Sequence, residues 1–385
     1  MTVEYELARL EDYDEVIDLG NYVFSAAHVP HDFPAILPKL YRRENFMDGL
    51  HYIAREDGKI KSIIGVYPME LHVLGEVLQG RGIGMVSVHP YSRSKGYMKT
   101  LMNLALDDMK RDRVAFSCLG GQRQRYEYFG YTPVGTRVGF CCDKANVNHV
   151  KGRDFVSSLS LKPLGPEDAA CLENIRHMHE KKPMYFGRPA ESRRFYDVLN
   201  SWRAGVYAVM EGDEFFGYFI GNQKIGQITE INLKDSFRII EAVNLFMKDR
   251  SDLTVRVQAF DREKMAALSD FAEDCQLDTA YNYRIFNFPA MLKALLKFRL
   301  SLGSVPDGKL SFKIGEQEPL NIAVSHGEVS VTPFPGKPDL ALSELEAVSF
   351  FFSPLTPLAS SLVKGNPFLQ SLLPLPLFME HADEV

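Results

Sequence analysis

The stretch VSVHPYSRSKGYMKTLM, residues 86 to 102, joins the end of a strand-like run to a short basic turn and the start of a helix. Backbone N–H groups at a helix start are unpaired and carry the positive end of the dipole, so they bind phosphate oxygens. Arg93 and Lys95 add charge beside them, and Gly96 lets the backbone approach a pyrophosphate closely. Ser94, Tyr97 and Met98 complete the turn. Basic turns are common. The strand before this one and the amphipathic helix after it single it out as a site for a pyrophosphate-bearing molecule.

A second stretch, GGQRQRYEYFGYTPVG, residues 120 to 135, follows a buried strand and concentrates Tyr126, Tyr128, Phe129 and Tyr131. For Tyr128 and Phe129 the expectation is packing. His177 and His179 stand two apart on a helix-like run, where side chains do not share a face, so no metal site is expected there. His28 and His31 flank Pro30 in a loop that lines a cleft at most, and His89 ends a strand. The cysteines, at 118, 141, 142, 171 and 275, follow no C-x-x-C spacing and read as idle thiols in a reducing compartment.

Three segments position these residues. In residues 1 to 148 a strand at Tyr5–Arg9 precedes an amphipathic helix over Asp12–Ser25, and a hairpin turns at Asp57-Gly58. A central strand follows over Gly82–His89, ended by Pro90, which cannot donate to a ladder. Met98, Leu101, Met102, Ala105 and Met109 then recur at helical spacing, and Val114–Leu119 is the next strand. Residues 149 to 288 repeat this order with different residues: a hairpin at Gly212-Asp213, a strand at Ile228–Leu233, a helix over Phe237–Lys248 and a strand at Thr254–Phe260. In this copy ITEINLKDSFRIIEAV has no glycine and no cationic pair before the helix, and the Asp235 carboxylate repels phosphate. Residues 289 to 385 read as an α+β segment with a cationic amphipathic helix, three strands and a proline-rich tail.

The chain has 385 residues, 45% hydrophobic and 24% charged, which is ample for more than one core and excludes disorder. A formal net charge of -6 argues against nucleic acid as a partner. No apolar run approaches the length of a membrane span, and the acidic first residues are unlike a signal peptide, so a cytoplasmic protein is expected.

Residues 93 to 98 resemble motif A of the GNAT acetyltransferases, [Q/R]-x-x-G-x-[G/A], with Met98 replacing the last small residue. The whole chain resembles more narrowly the Eis-type (enhanced intracellular survival) acetyltransferases. That resemblance implies tandem GNAT-like mixed-sheet α/β domains, the second degenerate, followed by a sterol-carrier-like α+β domain. It implies acetyl-CoA as co-substrate, no metal, a small-molecule or peptide amine as acceptor, and a homohexamer. By the same resemblance Val86, Ser87 and Val88 offer backbone groups to the pantetheine arm, and Val88 N–H polarises the thioester. Tyr126, first of Y-x-x-F-G-Y, stands at the sulfur and protonates the departing thiolate. No Glu or His of the first segment claims the base role. The family uses its terminal carboxylate, here that of Val385, with Asp383 and Glu384 presenting negative charge to a cationic acceptor and Phe24 lining its pocket. The rival readings are a non-catalytic CoA-, acyl- or lipid-binding protein descended from such an enzyme, and an enzyme that uses a longer acyl donor.

Overall fold

The computed structural model describes residues 2–27, 29–248 and 250–385. In chain order the strands of the first segment are β1 (Val3–Leu7), β2 (His51–Glu56), β3 (Lys59–Val73), β4 (Glu76–Val88), β5 (Phe116–Leu119) and β6 (Thr132–Asp143). The next are β7 (Leu159–Pro163), β8 (Met184–Phe186), β9 (Gly205–Glu211), β10 (Glu214–Asn222), β11 (Gln227–Leu233), β12 (Asp252–Gln258) and β13 (Ala272–Ile285). The last are β14 (Gly308–Ile314), β15 (Leu320–Ser325), β16 (Glu328–Pro333) and β17 (Leu340–Leu342).

One mixed sheet runs in the order β1-β2-β3-β4-β5-β13-β6-β12-β11-β10-β9-β7, with β8 on the far end of β3. The repeat expected from the sequence is visible as β2-β3-β4-β5 against β9-β10-β11-β12. The two copies trade strands at the centre: β13, from the second copy, pairs with β5 of the first, while β6 of the first pairs with β12. The Asp57-Gly58 turn has φ of 48° and 78°, the left-handed pair that a two-residue hairpin needs. A second such turn at Leu74-Gly75, with φ of 49° and 83°, carries β4 back to Glu76. The sequence pattern placed that strand only from Gly82, because glycines 80, 82 and 84 interrupt its alternation.

Alternation along β3 sends Ile64 and Val66 to one face and Ile63 and Tyr67 to the other. The first face receives the helix Tyr97–Arg111, through Leu101, Met102, Ala105 and Met109. The second receives the helix Tyr13–Ala27, through Val16, Ile17 and Leu19. The third segment folds as a separate sheet in the order β16-β15-β14-β17. Its short strand β17 was not foreseen. The helix Phe288–Ser301 shares one core with Leu71, Phe116 and Tyr283 of the large sheet, Phe312 of the small one and Phe351 of the helix Glu344–Phe352. The C-terminal tail leaves this core and crosses the large sheet, where Thr136 N–H donates to Leu377 C=O at 2.9 Å.

Candidate active site

The site begins with a defect in β4. Met85 has φ of 50°, and the β3–β4 register slips between Ile63↔Ser87 and Gly65↔Gly84, so that Met85 and Val86 both face Ile64. The parallel pairing of β4 with β5 stops at Ile83↔Leu119, while β4 runs on to Val88. The two strands therefore part, and the last residues of β4 have no partner on that side. His89 N–H donates to Lys61 C=O at 2.8 Å; by the alternation of an antiparallel ladder, Val88 then turns its N–H and C=O away from β3, into the opening. The Ser87 carbonyl accepts from Ser62 Oγ at 2.9 Å, and its own hydroxyl is buried without a partner.

At the outer end of the opening lies the basic turn. Ser94 and Gly96 have φ of 67° and 83°, and Gly96 caps the helix Tyr97–Arg111 with no side chain bonded to the first N–H groups. Those donors remain available to an anion. Arg93 is exposed and has no ion pair among the described residues. Lys95 differs from the expectation: its Nζ lies 2.6 Å from Oε1 of buried Glu56, whose carboxyl it holds below the usual range. Tyr97 is buried and Met98 packs half-buried on the same core, so both bring backbone to the turn rather than side chain.

The tip of β5 carries two close approaches. A Cβ on Gly120 would stand 2.9 Å from Tyr281 Oη, and one on Gly121, at φ of 132°, would stand 2.7 Å from the Tyr126 ring. Tyr126 is buried, and burial pushes its phenol up, so it keeps its proton. Tyr281 Oη donates to a terminal carboxylate oxygen of Val385 at 2.9 Å. The terminal valine rests on the glycines of β4: a Cβ on Gly82 would meet Val385 Cγ2 at 2.6 Å, and one on Gly84 its carboxyl carbon at 3.3 Å. Tyr126, Tyr281 and Val385 thus converge where β4 and β5 part.

Two clamps hold the tail. Lys39 Nζ donates to the carbonyls of Ala382 and Glu384 at 2.6 and 2.7 Å, and burial pushes this lysine down to about 8. Arg188 bridges Asp383, at 2.8 and 3.1 Å, to Glu230, at 2.8 Å, with all three side chains buried. Burial opposes the charge of Glu230, yet Arg188 and Lys182 keep it well below the usual carboxylate range. Glu384 pairs with Arg137 at 3.3 Å and His381 at 2.9 Å, and His381 stacks on Trp202. Asp383 and Glu384, expected to present negative charge to a cationic acceptor, are both held in buried ion pairs that locate the last residue.

The second copy shows what its missing phosphate turn was exchanged for. β11 has the same kind of bulge, between Ile220↔Glu230 and Gly221↔Ile228, and pairs with β12 over only two residues. The tail enters this opening. Its His381–Asp383 turn packs on β11, and Glu380 accepts from Lys182 at 3.0 Å and Gln258 at 3.3 Å. Where the first copy has Gly96, Asp235 caps the following turn by accepting from Phe237 N–H at 2.9 Å.

A cavity of about 550 Å³ opens beside the terminal valine, lined among others by Lys39, Tyr67, Met69, Phe186, Asp383 and Val385. His51 also lines it, stacked on Phe46 and bonded to Tyr67 Oη at 3.0 Å, and burial holds it neutral at about 3. Phe24 lies outside that lining, in ring contact with Phe33 and His31. His28 lies outside the described residues. His179 is buried against the Phe186 carbonyl and His177 is exposed beside Glu173. Among the described residues no group of three His, Cys, Asp or Glu side chains is placed to hold a metal ion, and no helix is long and apolar enough to cross a membrane. Lys39, Arg188 and Tyr281 went unrecognised in the sequence because their partners lie far away along the chain; Lys39 is 343 residues from Ala382.

Residues 4–134 match the family described as Acetyltransferase (GNAT) domain. Among solved structures the whole chain is similar to a probable N-acyltransferase from Enterococcus faecalis, at 16% identity and a TM-score of 0.68, covering 99% of this chain and 98% of that one. It is also similar to a GCN5-related N-acetyltransferase from Kribbella flavida, at 15% identity and a TM-score of 0.66, covering 100% and 98%. Eis1 from Mycobacterium abscessus is similar at 13% identity and a TM-score of 0.60, covering 90% and 89%. These likenesses establish a shared fold. A search of the curated proteins finds no match.

Proposed function

We propose that this protein is an acetyl-CoA-dependent N-acetyltransferase that uses its own C-terminal carboxylate as the base. The GNAT match over residues 4–134 supports acyl transfer in general. The observation that carries the finer reading is the terminal carboxyl of Val385, seated on Gly84 and held by Tyr281 beside the opening of β4 and β5. A chain end is ordinarily loose; two buried clamps on this one call for a use.

On this reading the pyrophosphate of acetyl-CoA lies on Arg93 and the uncapped N–H groups after Gly96, and the pantetheine arm follows the free edge of β4. The amine enters through the cavity lined by Met69 and Phe186. The Val385 carboxylate takes its proton, directly or through a water, and the nitrogen lone pair attacks the thioester carbon. Val88 N–H, directed into the opening, stabilises the oxyanion. The attacking nitrogen, cationic after addition, gives up its second proton to solvent as the C–S bond breaks, sulfur leaves with the bonding pair, and Tyr126 supplies the thiolate's proton. The products are an amide and free thiol, and the two side groups re-equilibrate with solvent. An aminoglycoside, a polyamine or a lysine-like amine suits this chemistry.

The test is CoA release from acetyl-CoA with a panel of such amines, comparing the full chain with one lacking Glu384 and Val385. Activity that collapses on truncation while CoA still binds supports the terminal base. Equal activity in both removes Val385 from the mechanism. CoA binding without turnover on any amine favours the non-catalytic reading.

A further inference from the structure

A second cavity, of about 340 Å³, lies where β6, the loop after β12, the helix Phe288–Ser301 and the tail meet. It shares no lining residue with the cavity at Val385. Phe260, Leu302, Leu373 and Leu375 give it apolar walls. Three polar side chains line it, and among the described residues none of them has a protein acceptor. Thr136 is 6% exposed, and its Oγ1 is buried with no hydrogen-bond partner. Arg262 and Arg299 line the same space, and among the described residues neither has an ion pair or a side-chain hydrogen bond. The two carboxylates flanking Arg262 in sequence are turned elsewhere, Asp261 to Lys264 at 2.9 Å and Glu263 to Ser236 Oγ at 3.5 Å.

The cost of that arrangement falls on Arg299, since Arg262 is exposed to solvent. Burial and the charge of Arg262 both push the half-buried Arg299 down from its ordinary value. The C-terminal end of its helix offers Arg299 a favourable field but no acceptor for its N–H groups. Two guanidiniums that repel one another become mutually stabilising when one anion is shared between them. The apolar walls ask for a hydrocarbon portion on the same molecule. The volume is at the low end for small-molecule pockets and suits one short chain rather than a two-chain lipid.

We propose that this cavity binds a single-chain amphiphilic carboxylate, its head between Arg299 and Arg262, its chain along Phe260, Leu302, Leu373 and Leu375. The site is independent of the acetyl-transfer reading, since binding alone tests it. Its wall is nevertheless the stretch of tail that leads to Val385, so an occupant also stiffens the segment that ends in the carboxylate.

Isothermal titration of the full-length protein with decanoate, below its micelle concentration, is the direct measurement, with decanol and acetate titrated in parallel. Saturable 1:1 binding of decanoate is expected, at least about tenfold tighter than either control, because only decanoate brings both charge and chain. Arg299→Met removes a donor while keeping length. Leu277→Glu places a repelling carboxylate at the half-exposed rim, where folding does not depend on the leucine. Each is expected to weaken decanoate binding about tenfold or more, with melting temperature unchanged in Leu277→Glu. Decanol binding as tightly as decanoate would reduce the cavity to an apolar hole. Acetate binding as tightly would remove the chain from the proposal. Undiminished decanoate binding in both variants would put the ligand elsewhere, and no saturable decanoate binding would end the idea.

Discussion

Replacing Gly82 by alanine tests the placement of the terminal carboxylate without touching the chain end. Gly82 sits inside β4, paired with Tyr67 and Cys118, and its φ is not in the left-handed region, so alanine suits the backbone there. The new Cβ would stand 2.6 Å from Val385 Cγ2, 2.8 Å from Met69 Sδ and 3.3 Å from Val385 Cγ1. Carbon atoms settle at about 3.5–4.0 Å, so the terminal valine must withdraw by about 1 Å. Met69 can swing aside, but Val385 is tied through Lys39 and Tyr281, and a shift of its side chain carries its carboxylate along. A 1 Å misplacement of a reacting group costs about 10²-fold in rate. We therefore expect Gly82→Ala to lower kcat about 100-fold at saturating substrates, approaching the truncated chain, with the KM for acetyl-CoA unchanged because the Arg93–Met98 turn is untouched. Gly84→Ala, whose Cβ would meet Tyr41 Oη at 3.2 Å and the Val385 carboxyl carbon at 3.3 Å, needs only a few tenths of an ångström and is expected to lose less. Wild-type kcat in Gly82→Ala with an unchanged melting temperature refutes the reasoning. So does a loss of activity traceable to lost CoA binding, since that would locate the damage in the strand opening.

Three further substitutions probe the other parts. Arg93→Ala is expected to raise the KM for acetyl-CoA about 10-fold or more, the loss of one charge-assisted contact, with little change in kcat; a KM that stays put in steady-state kinetics removes the phosphate turn. Tyr126→Phe is expected to lower kcat by about 10² or more while acetyl-CoA binding, followed by titration, is retained; unchanged turnover would leave Tyr126 as packing. Lys39→Met addresses pH. The unfolded lysine holds its proton up to the ordinary 10.5, whereas the folded one releases it near about 8. Between those values the unfolded state binds more protons, so raising the pH stabilises the folded protein. Urea unfolding at pH 7 and pH 9.5 is expected to show the wild type gaining stability relative to Lys39→Met, and a parallel pair of curves would contradict the buried, proton-releasing lysine.

What could be read from the sequence follows the range over which each feature is encoded. The turn from Arg93 to Met98 is local: glycine, cation and helical spacing lie within one short stretch, and the chain alone reveals it. The opening that gives the turn its purpose was not visible, because it depends on the positive φ of Met85, a residue type that normally avoids that conformation. Lys95 looked equivalent to Arg93 only because Glu56, its partner, comes from a different strand. The ion pairs of Asp383 and Glu384 are hidden in the sequence for the same reason; Arg188 and Arg137 reach them from 195 and 247 residues away. The role proposed for Val385 comes from family resemblance and could not have come from the residue itself, since a terminal valine carries no signal.

The second copy joins these observations. Its sequence announced the loss of a phosphate turn, with Asp235 where the first copy has glycine, but not what took its place. A split between parallel strands leaves backbone groups and a concave floor exposed, and in the absence of a nucleotide those must be covered. Glu380 through Asp383 cover them, and the buried charges of Glu230, Arg188 and Lys182 fix the register of that cover. An apolar tail of equal volume would bind at least as stably, because a buried ion pair gains little over packing. It would not stop at a defined residue. If the final carboxylate acts as proposed, held by Tyr281, a defined stopping point matters more than tight binding. The same split-strand architecture that is proposed to hold a substrate in one copy holds the chain's own end in the other, and the ionic pairs set where that end lies.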